Sequence, residues 1–163
     1  DLGYNYRMTN MQAAVGLAQM EKLDEILALR KKQMDWYYSE LSNVQGIYLR
    51  KYLNWCDPVH WMMTITLDEI YDRDEFLLYM WNKGIDCRQM INPVHKAEHF
   101  KSQFSDSEFK NSIHISSHSV HLPSGLALSN NQIQEISNDW KRDHRWHFRK
   151  DGTFIKAPLN FKN

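Results

Sequence analysis

The sequence predicts an α+β fold, in which a long N-terminal helix leads into a small, mostly antiparallel sheet with helices on one side. Three observations carry this. Residues 11–43 hold no proline and only one glycine, Gly16, and Met11, Val15, Leu23, Ile26, Leu27, Met34, Tyr37 and Leu41 fall at mostly helical spacings. Strand-forming residues gather at His60–Leu67 (HWMMTITL). The elements then run long helix, strand, strand, helix, strand, loop and helix, an order best satisfied by helices covering one face of a small sheet.

The elements follow in order. Leu2–Asn10 reads as a structured loop, with Thr9 or Asn10 as N-cap because a short side-chain oxygen accepts from free N–H groups of the first turn. The span that follows is one long helix or two, with a bend near Leu23–Asp24. Gly46 ends that unit, and Ile47–Leu53 is a candidate strand. Asp57-Pro58 marks a turn before the His60–Leu67 strand. Arg73–Lys83 is a short amphipathic helix with Phe76, Leu77, Met80 and Trp81 on one face and Gly84 as its C-terminal stop. Ile85–Met90 is another strand, and Asn92-Pro93 forces an extended turn. Phe100–Phe109 is short helix plus loop. Ile113–Leu122 is a mixed segment, read as extended chain because of its β-branched residues and Pro123. Ser129 caps a last helix, Asn130–Lys141, with Ile133, Ile136 and Trp140 inward.

With 163 residues and 42% apolar content, the chain can bury a real core. Lys+Arg and Asp+Glu balance at 20 each, so overall charge points neither to nucleic acid nor to an acidic partner. Cys56 and Cys87 show no disulfide framework or metal spacing, which favours a reducing cytoplasm. No apolar run is long enough for a membrane helix, and no signal peptide opens the chain. The start at Asp1, without Met, reads as a cut within a longer chain. His114, His118 and His121 would align only on a helix, and no cysteine or carboxylate completes a site, so no metal is expected.

The run Gly3-Tyr4-Asn5-Tyr6-Arg7-Met8-Thr9-Asn10-Met11-Gln12-Ala13-Ala14, followed by Gly16-Leu17-Ala18-Gln19-Met20-Glu21-Lys22-Leu23, resembles the signature of the DegT–DnrJ–StrS aminotransferases. Later blocks agree in order. Arg30 sits where that family has a helical arginine, and Tyr37–Leu41 resembles its YxxxL. Gly84–Arg88 resembles GIxxR, Asn92–His95 resembles xPxH, and Leu122-Pro123-Ser124-Gly125 with Leu128-Ser129 resembles LPSGxxLS. The resemblance spans roughly residues 2–140 and is most specific in its first block. It implies the C-terminal portion of a fold type I, pyridoxal 5'-phosphate-dependent enzyme that aminates a nucleotide-linked keto-sugar. On this reading residues 1–45 close the large cofactor domain and form the connecting helix. Residues 46–144 form the small α+β domain, and residues 145–163 are a basic aromatic extension. The Schiff-base lysine, the aspartate on the pyridine nitrogen and the ring-stacking aromatic lie upstream in the family, so the fragment alone is expected to be inactive.

The resemblance also implies a homodimer, in which Asn5 reaches the phosphate of the partner's cofactor. A neutral amide donates to phosphate without burying another charge; alternatively Asn5 serves only a turn. Arg7 suits bidentate phosphate contact, or a structural ion pair. Arg88 follows a predicted strand, where it meets a substrate diphosphate or a local carboxylate. His95 is fixed by a proline turn and is a candidate substrate contact, against a purely structural role. His118 stands where relatives often carry arginine, which shifts any diphosphate contact there into a pH-dependent range. The expected partners are a nucleotide-sugar and an amino-acid donor, with no membrane.

Two rival readings stay open at this point. A related dehydratase replaces the lysine with histidine upstream. A non-catalytic module would instead use the tail Arg145–Asn163, whose aromatics interleave with Arg and Lys as in single-stranded nucleic-acid binders. That tail also holds a hairpin-like Asp151-Gly152 turn.

Overall fold

The computed structural model describes residues 6–142. Asn5 and the tail, with every expectation placed on them, lie outside the described residues. Helix α1 (Asn10–Met20) opens on Thr9, whose backbone N–H donates to Gln12 Oε1 at 2.9 Å while its Oγ1 accepts from Gln12 N at 3.3 Å. That reciprocal pair satisfies two otherwise free donors. A two-residue break at Glu21–Lys22 separates α1 from α2 (Leu23–Leu41). The N–H of Lys22 reaches back to Gln19 O at 3.1 Å, the tightened last turn that ends a helix without glycine. The expected bend is therefore real, one or two residues early. None of the α1 residues is buried, whereas α2 buries Gln33, Met34, Tyr37 and Leu41.

Strands β1 (Ile47–Leu49), β2 (Met63–Leu67), β3 (Arg88–Gln89) and β4 (Ser119–Leu122) form one sheet in the order β1-β2-β4-β3, every pair antiparallel. Successive side chains point to opposite faces. Met63, Ile65, Leu67, Val120 and Leu122 face the core with Tyr37, Leu41, Phe76, Met80, Ile133 and Ile136. The partners come from α2, from α3 (Arg73–Asn82) and from α5 (Asn130–Arg142), so these helices share one face of the sheet. The opposite face is polar: Thr64, Thr66, Ser119, His121 and Arg88.

Helix α3 starts at Asp72, whose carboxylate accepts from Asp74 N and Glu75 N. It ends with Ile85 N to Met80 O and Gly84 N to Trp81 O, both 2.9 Å, and Gly84 holds φ +77°. This is the Schellman closure that glycine makes without steric cost. Gly46 also has positive φ, +82°, and a Cβ there would strike the buried ring of Tyr71.

Several expectations are corrected. The first strand stops at Leu49, well short of Leu53, and the third shrinks to two residues. Trp81 is 67% exposed and lies off the inward face, which belongs to Phe76 and Met80. The segment read as extended before Pro123 is instead helix α4 (Lys110–His118), which passes directly into β4. A 3-10 turn at Asp106–Phe109, with a Ser105/Glu108 capping box, leads directly into it. Isoleucine costs a helix only tenths of a kcal/mol against alanine, and Pro123 stands beyond the helix end. Ser129 does cap α5 through Gln132, and Ile133 and Ile136 are buried. The Trp140 side chain lies outside what is described.

One row of α2 side chains anchors the loop after β4. Arg30 Nη1 donates to Ser124 O and, at 3.2 Å, to Trp61 O. Gln33 Nε2 donates to Gly125 O at 2.9 Å and to Leu126 O and Leu128 O at 3.2 Å. Tyr37 OH donates to Pro123 O at 2.8 Å. Ser124 Oγ in turn accepts from Met63 N at 2.9 Å and donates to Leu122 O at 2.8 Å.

Gln33 is 2% exposed, so Gln33→Leu removes a buried donor and the three loop hydrogen bonds it makes, at an expected cost of about 2 kcal/mol. Lys31→Ala removes only an exposed ion pair and is expected to change stability by less than about 0.5 kcal/mol. Urea unfolding of the two variants compares the effects. Gly46→Ala is expected to destabilise by about 1–3 kcal/mol through strained φ and the Tyr71 clash, seen as a lowered melting temperature.

Candidate functional site

The polar end of the sheet opens into two adjoining clefts, where β2 begins and β4 ends. One has a volume of about 240 Å³, with Arg50, Tyr52, His60, Trp61 and Ile91 on its walls. Arg50 lies over the Tyr52 ring at 5.3 Å, and Tyr52 meets His60 edge-on at 5.6 Å. The second, about 400 Å³, runs between Arg88 with Asp86 on one side and the Leu122–Gly125 loop with Arg30 on the other. Trp61, Met62 and His121 line both, so the two form one groove with His121 at its waist.

Arg88 enters this groove because β3 pairs with β4 in a register that sets Arg88 opposite His121. Its side chain is largely exposed, and its contact to Asp86 is long, 3.4 Å. An exposed pair of that length contributes little, and the guanidinium stays available to a ligand. Arg30 has its charge fixed by the loop carbonyls it holds. The second cleft thus offers two guanidinium groups beside an exposed indole, and the first adds Arg50.

His121 is 7% exposed. Its Nδ1 shares a hydrogen bond of 2.9 Å with Thr64 Oγ1, whereas Nε2 is buried and, among the described residues, has no partner. Leaving such an atom unpaired costs about 1–3 kcal/mol. Burial holds the imidazole below its ordinary pKa and so favours the neutral ring.

His95 and His118 stand elsewhere. His95, on a 3-10 turn at Val94–Lys96, is buried and stacked on Phe109 at 4.5 Å, and its Nε2 donates to Asp106 Oδ1 at 3.0 Å. That hydrogen bond, with help from Lys96, holds the Asp106 carboxyl below the usual range. The ring borders a separate pocket with Asn92, Lys96, Lys101, Phe104 and Asp106. His118 ends α4, stacked on His114 at 4.6 Å, with Nδ1 at 3.0 Å from His114 O. It does not line the groove. Arg7 is exposed just ahead of α1.

Sequence reasoning therefore reached Arg88 and missed His121, Gln33 and Trp61. The available signal for His121 was its place immediately before Leu122-Pro123-Ser124-Gly125, in a strand that alternates core and polar side chains. Cys56 and Cys87 are free thiols, and burial with nearby Asp86 pushes Cys87 up to about 12, an inert structural thiol. Among the described residues no cluster could hold a metal ion, and no helix is long and apolar enough to cross a membrane.

Comparison with known proteins gives a consistent picture. The model of the DegT/DnrJ/EryC1/StrS aminotransferase family matches residues 1–140. The GDP-perosamine synthase of Vibrio cholerae is 31% identical over 139 residues, covering 84% of this chain and 38% of that protein. The Caulobacter vibrioides protein of the same name is 37% identical over 97 residues, covering 58% of this chain and 26% of that protein. The chain thus matches between about a quarter and 38% of the length of these relatives. Among solved structures, DesV of S. venezuelae superposes with a TM-score of 0.78 at 24% identity, covering 91% of this chain and 39% of that one. Helicobacter pylori PseC gives 0.75 at 17% identity, covering 86% and 38%. At these identities the superpositions speak for the fold. The family match covers most of the residues whose geometry is described above, and the chain belongs to the DegT/DnrJ/EryC1/StrS aminotransferase family.

Proposed function

We propose that this chain is the C-terminal portion of a pyridoxal 5'-phosphate-dependent enzyme that transfers an amino group from an amino acid to a nucleotide-linked keto-sugar. The observation that carries the reading is the family match over residues 1–140 with relatives named GDP-perosamine synthase. Residues 1–45 would close the cofactor domain and connect it to the small domain at 46–144, with 145–163 as an extension.

The segment ahead of the small domain supports a role at an interface. Tyr6, Met8, Met11, Val15, Leu17 and Met20 are all more than 60% exposed, and a Cβ on Gly16 would meet nothing within 4 Å. A capped helix with so much open apolar surface is built to be covered by something else. The proposed cover is a second copy of the enzyme. Asn5 and Arg7 then approach the partner's cofactor, and both bring hydrogen-bond donors, which fits a phosphate dianion. Bound pyridoxal phosphate supplies the electron sink for amino transfer. The small domain supplies Arg88 and Trp61 and the connecting helix supplies Arg30 to the groove for the nucleotide diphosphate, with His95 and His118 as outlying candidates for substrate contact.

The intact protein is expected to carry a near-visible absorbance that borohydride removes, and to aminate a GDP-linked keto-sugar with glutamate as donor. A protein without that absorbance, inactive on nucleotide-linked keto-sugars, contradicts the reading. Arg7→Ala is expected to weaken cofactor affinity about tenfold, the loss of one charge-assisted phosphate contact. Fluorescence titration of the apoenzyme with pyridoxal phosphate measures it, and an unchanged affinity removes Arg7 from the phosphate site.

A further inference from the structure

Three side chains cross the polar face of the sheet in a row. Thr64 on β2 pairs with His121 on β4, which pairs with Arg88 on β3. The middle member has one nitrogen engaged by Thr64, and its other nitrogen is buried without a partner among the described residues, at the waist of the groove. Buried polar atoms are nearly always hydrogen-bonded. The His121 side chain lines both clefts, and its buried, unpaired nitrogen marks a place for a ligand atom.

We propose that His121 is an anion-binding residue of this groove: an oxyanion of the phosphate class, seated between Arg88 and the Leu122–Gly125 loop, accepts a hydrogen bond from His121 Nε2, and the imidazole takes up one proton as the anion binds. The proton comes from solvent, and no covalent bond is made or broken. In the charged ring both nitrogens donate, Nδ1–H to Thr64 Oγ1 and Nε2–H to the anion, so every polar atom of the side chain is satisfied.

The surrounding charges set the direction. Arg88 and Asp86 face the groove from the β3 side and Arg30 from α2; Arg50, Tyr52 and His60 face it from the segment before β2, and Tyr38 from α2. Burial favours the neutral ring, and among the described residues that line the groove three arginines outnumber one carboxylate. An incoming anion reverses the local sign and stabilises the imidazolium. Arg88 is free to follow it, since Asp86 holds it only at 3.4 Å. The site itself stands on the groove; identifying the oxyanion with the diphosphate of a nucleotide-linked sugar rests on the function proposed above.

The test is calorimetric titration of the intact protein with GDP-mannose, a diphosphate diester with no proton of its own to exchange near neutrality. Sulfate serves as the simple anion. Titrations run at about pH 7.5 in buffers of low and high ionisation enthalpy, where an ordinary histidine is mostly neutral. The expected result is uptake of about one proton per GDP-mannose, with affinity falling by up to tenfold per pH unit as protons become scarce. His121→Gln is expected to abolish the uptake and weaken binding roughly tenfold. The wild-type proton count needs no variant, so misfolding of His121→Gln would not shield the proposal. Binding of GDP-mannose with a buffer-independent enthalpy, or the same proton count in His121→Gln, overturns the role of His121 and leaves the nucleotide-sugar reading standing. Sulfate binding with proton uptake, and no GDP-mannose binding, supports the site and overturns the nucleotide-sugar reading. Failure of both ligands to bind overturns the anion site.

Discussion

Everything at the candidate site depends on one row of hydrogen bonds, from Arg30, Gln33 and Tyr37 on α2 to the backbone carbonyls between Pro123 and Leu128. A loop leaving a strand carries carbonyls that no ladder satisfies, and wherever they are withdrawn from water an unmet acceptor is costly. Here a helix supplies the donors. Spacings of three and four residues bring the three side chains to one stripe, and because the acceptors are backbone atoms, the stripe fixes the course of the chain whatever its side chains. Ser124 ties the same loop to the start of β2. The wall of the groove is therefore rigid before any ligand arrives, which reduces the ordering cost of binding.

The two faces of the sheet divide the work. One face, through Ile65, Val120 and their neighbours, is sealed by α2, α3 and α5 and supplies stability. The other carries Thr64, His121 and Arg88, whose polar groups are only partly satisfied among the described residues. Strand register connects the two: a shift of one residue in β4 would exchange His121 for Val120 and destroy core and site together. Gly84 matters for the same reason, since the tight closure of α3 sends the chain directly into the short strand that carries Arg88.

Much of this was legible from residues alone. Helical spacing located α2, the alternation at Met63–Leu67 located β2, and Thr9, Ser129, Gly46 and Gly84 marked ends through well-defined local chemistry. The segment 110–118 was misread because isoleucine and histidine are poor helix formers, while the capping turn at 105–109 and its contacts outweighed that preference. The motif blocks around Arg30, Tyr37 and Leu122–Gly125, each weak alone, prove to be parts of one hydrogen-bonded unit. The importance of His121 was not visible, because a single histidine in a strand does not announce that Thr64 will occupy one nitrogen and leave the other empty. His95 illustrates the converse: a proline turn did fix its ring, and the ring is used by Phe109 and Asp106.

The choice between the groove at His121 and the pocket at His95 is open to direct measurement. Backbone hydrogen exchange of the intact protein, followed by mass spectrometry with and without GDP-mannose, reports which amides a ligand shields. Slowed exchange is predicted at 61–64, 86–90 and 121–126, with little change at 92–106. Protection confined to 92–106, with the loop after β4 unaffected, would contradict the assignment of the groove as the binding site.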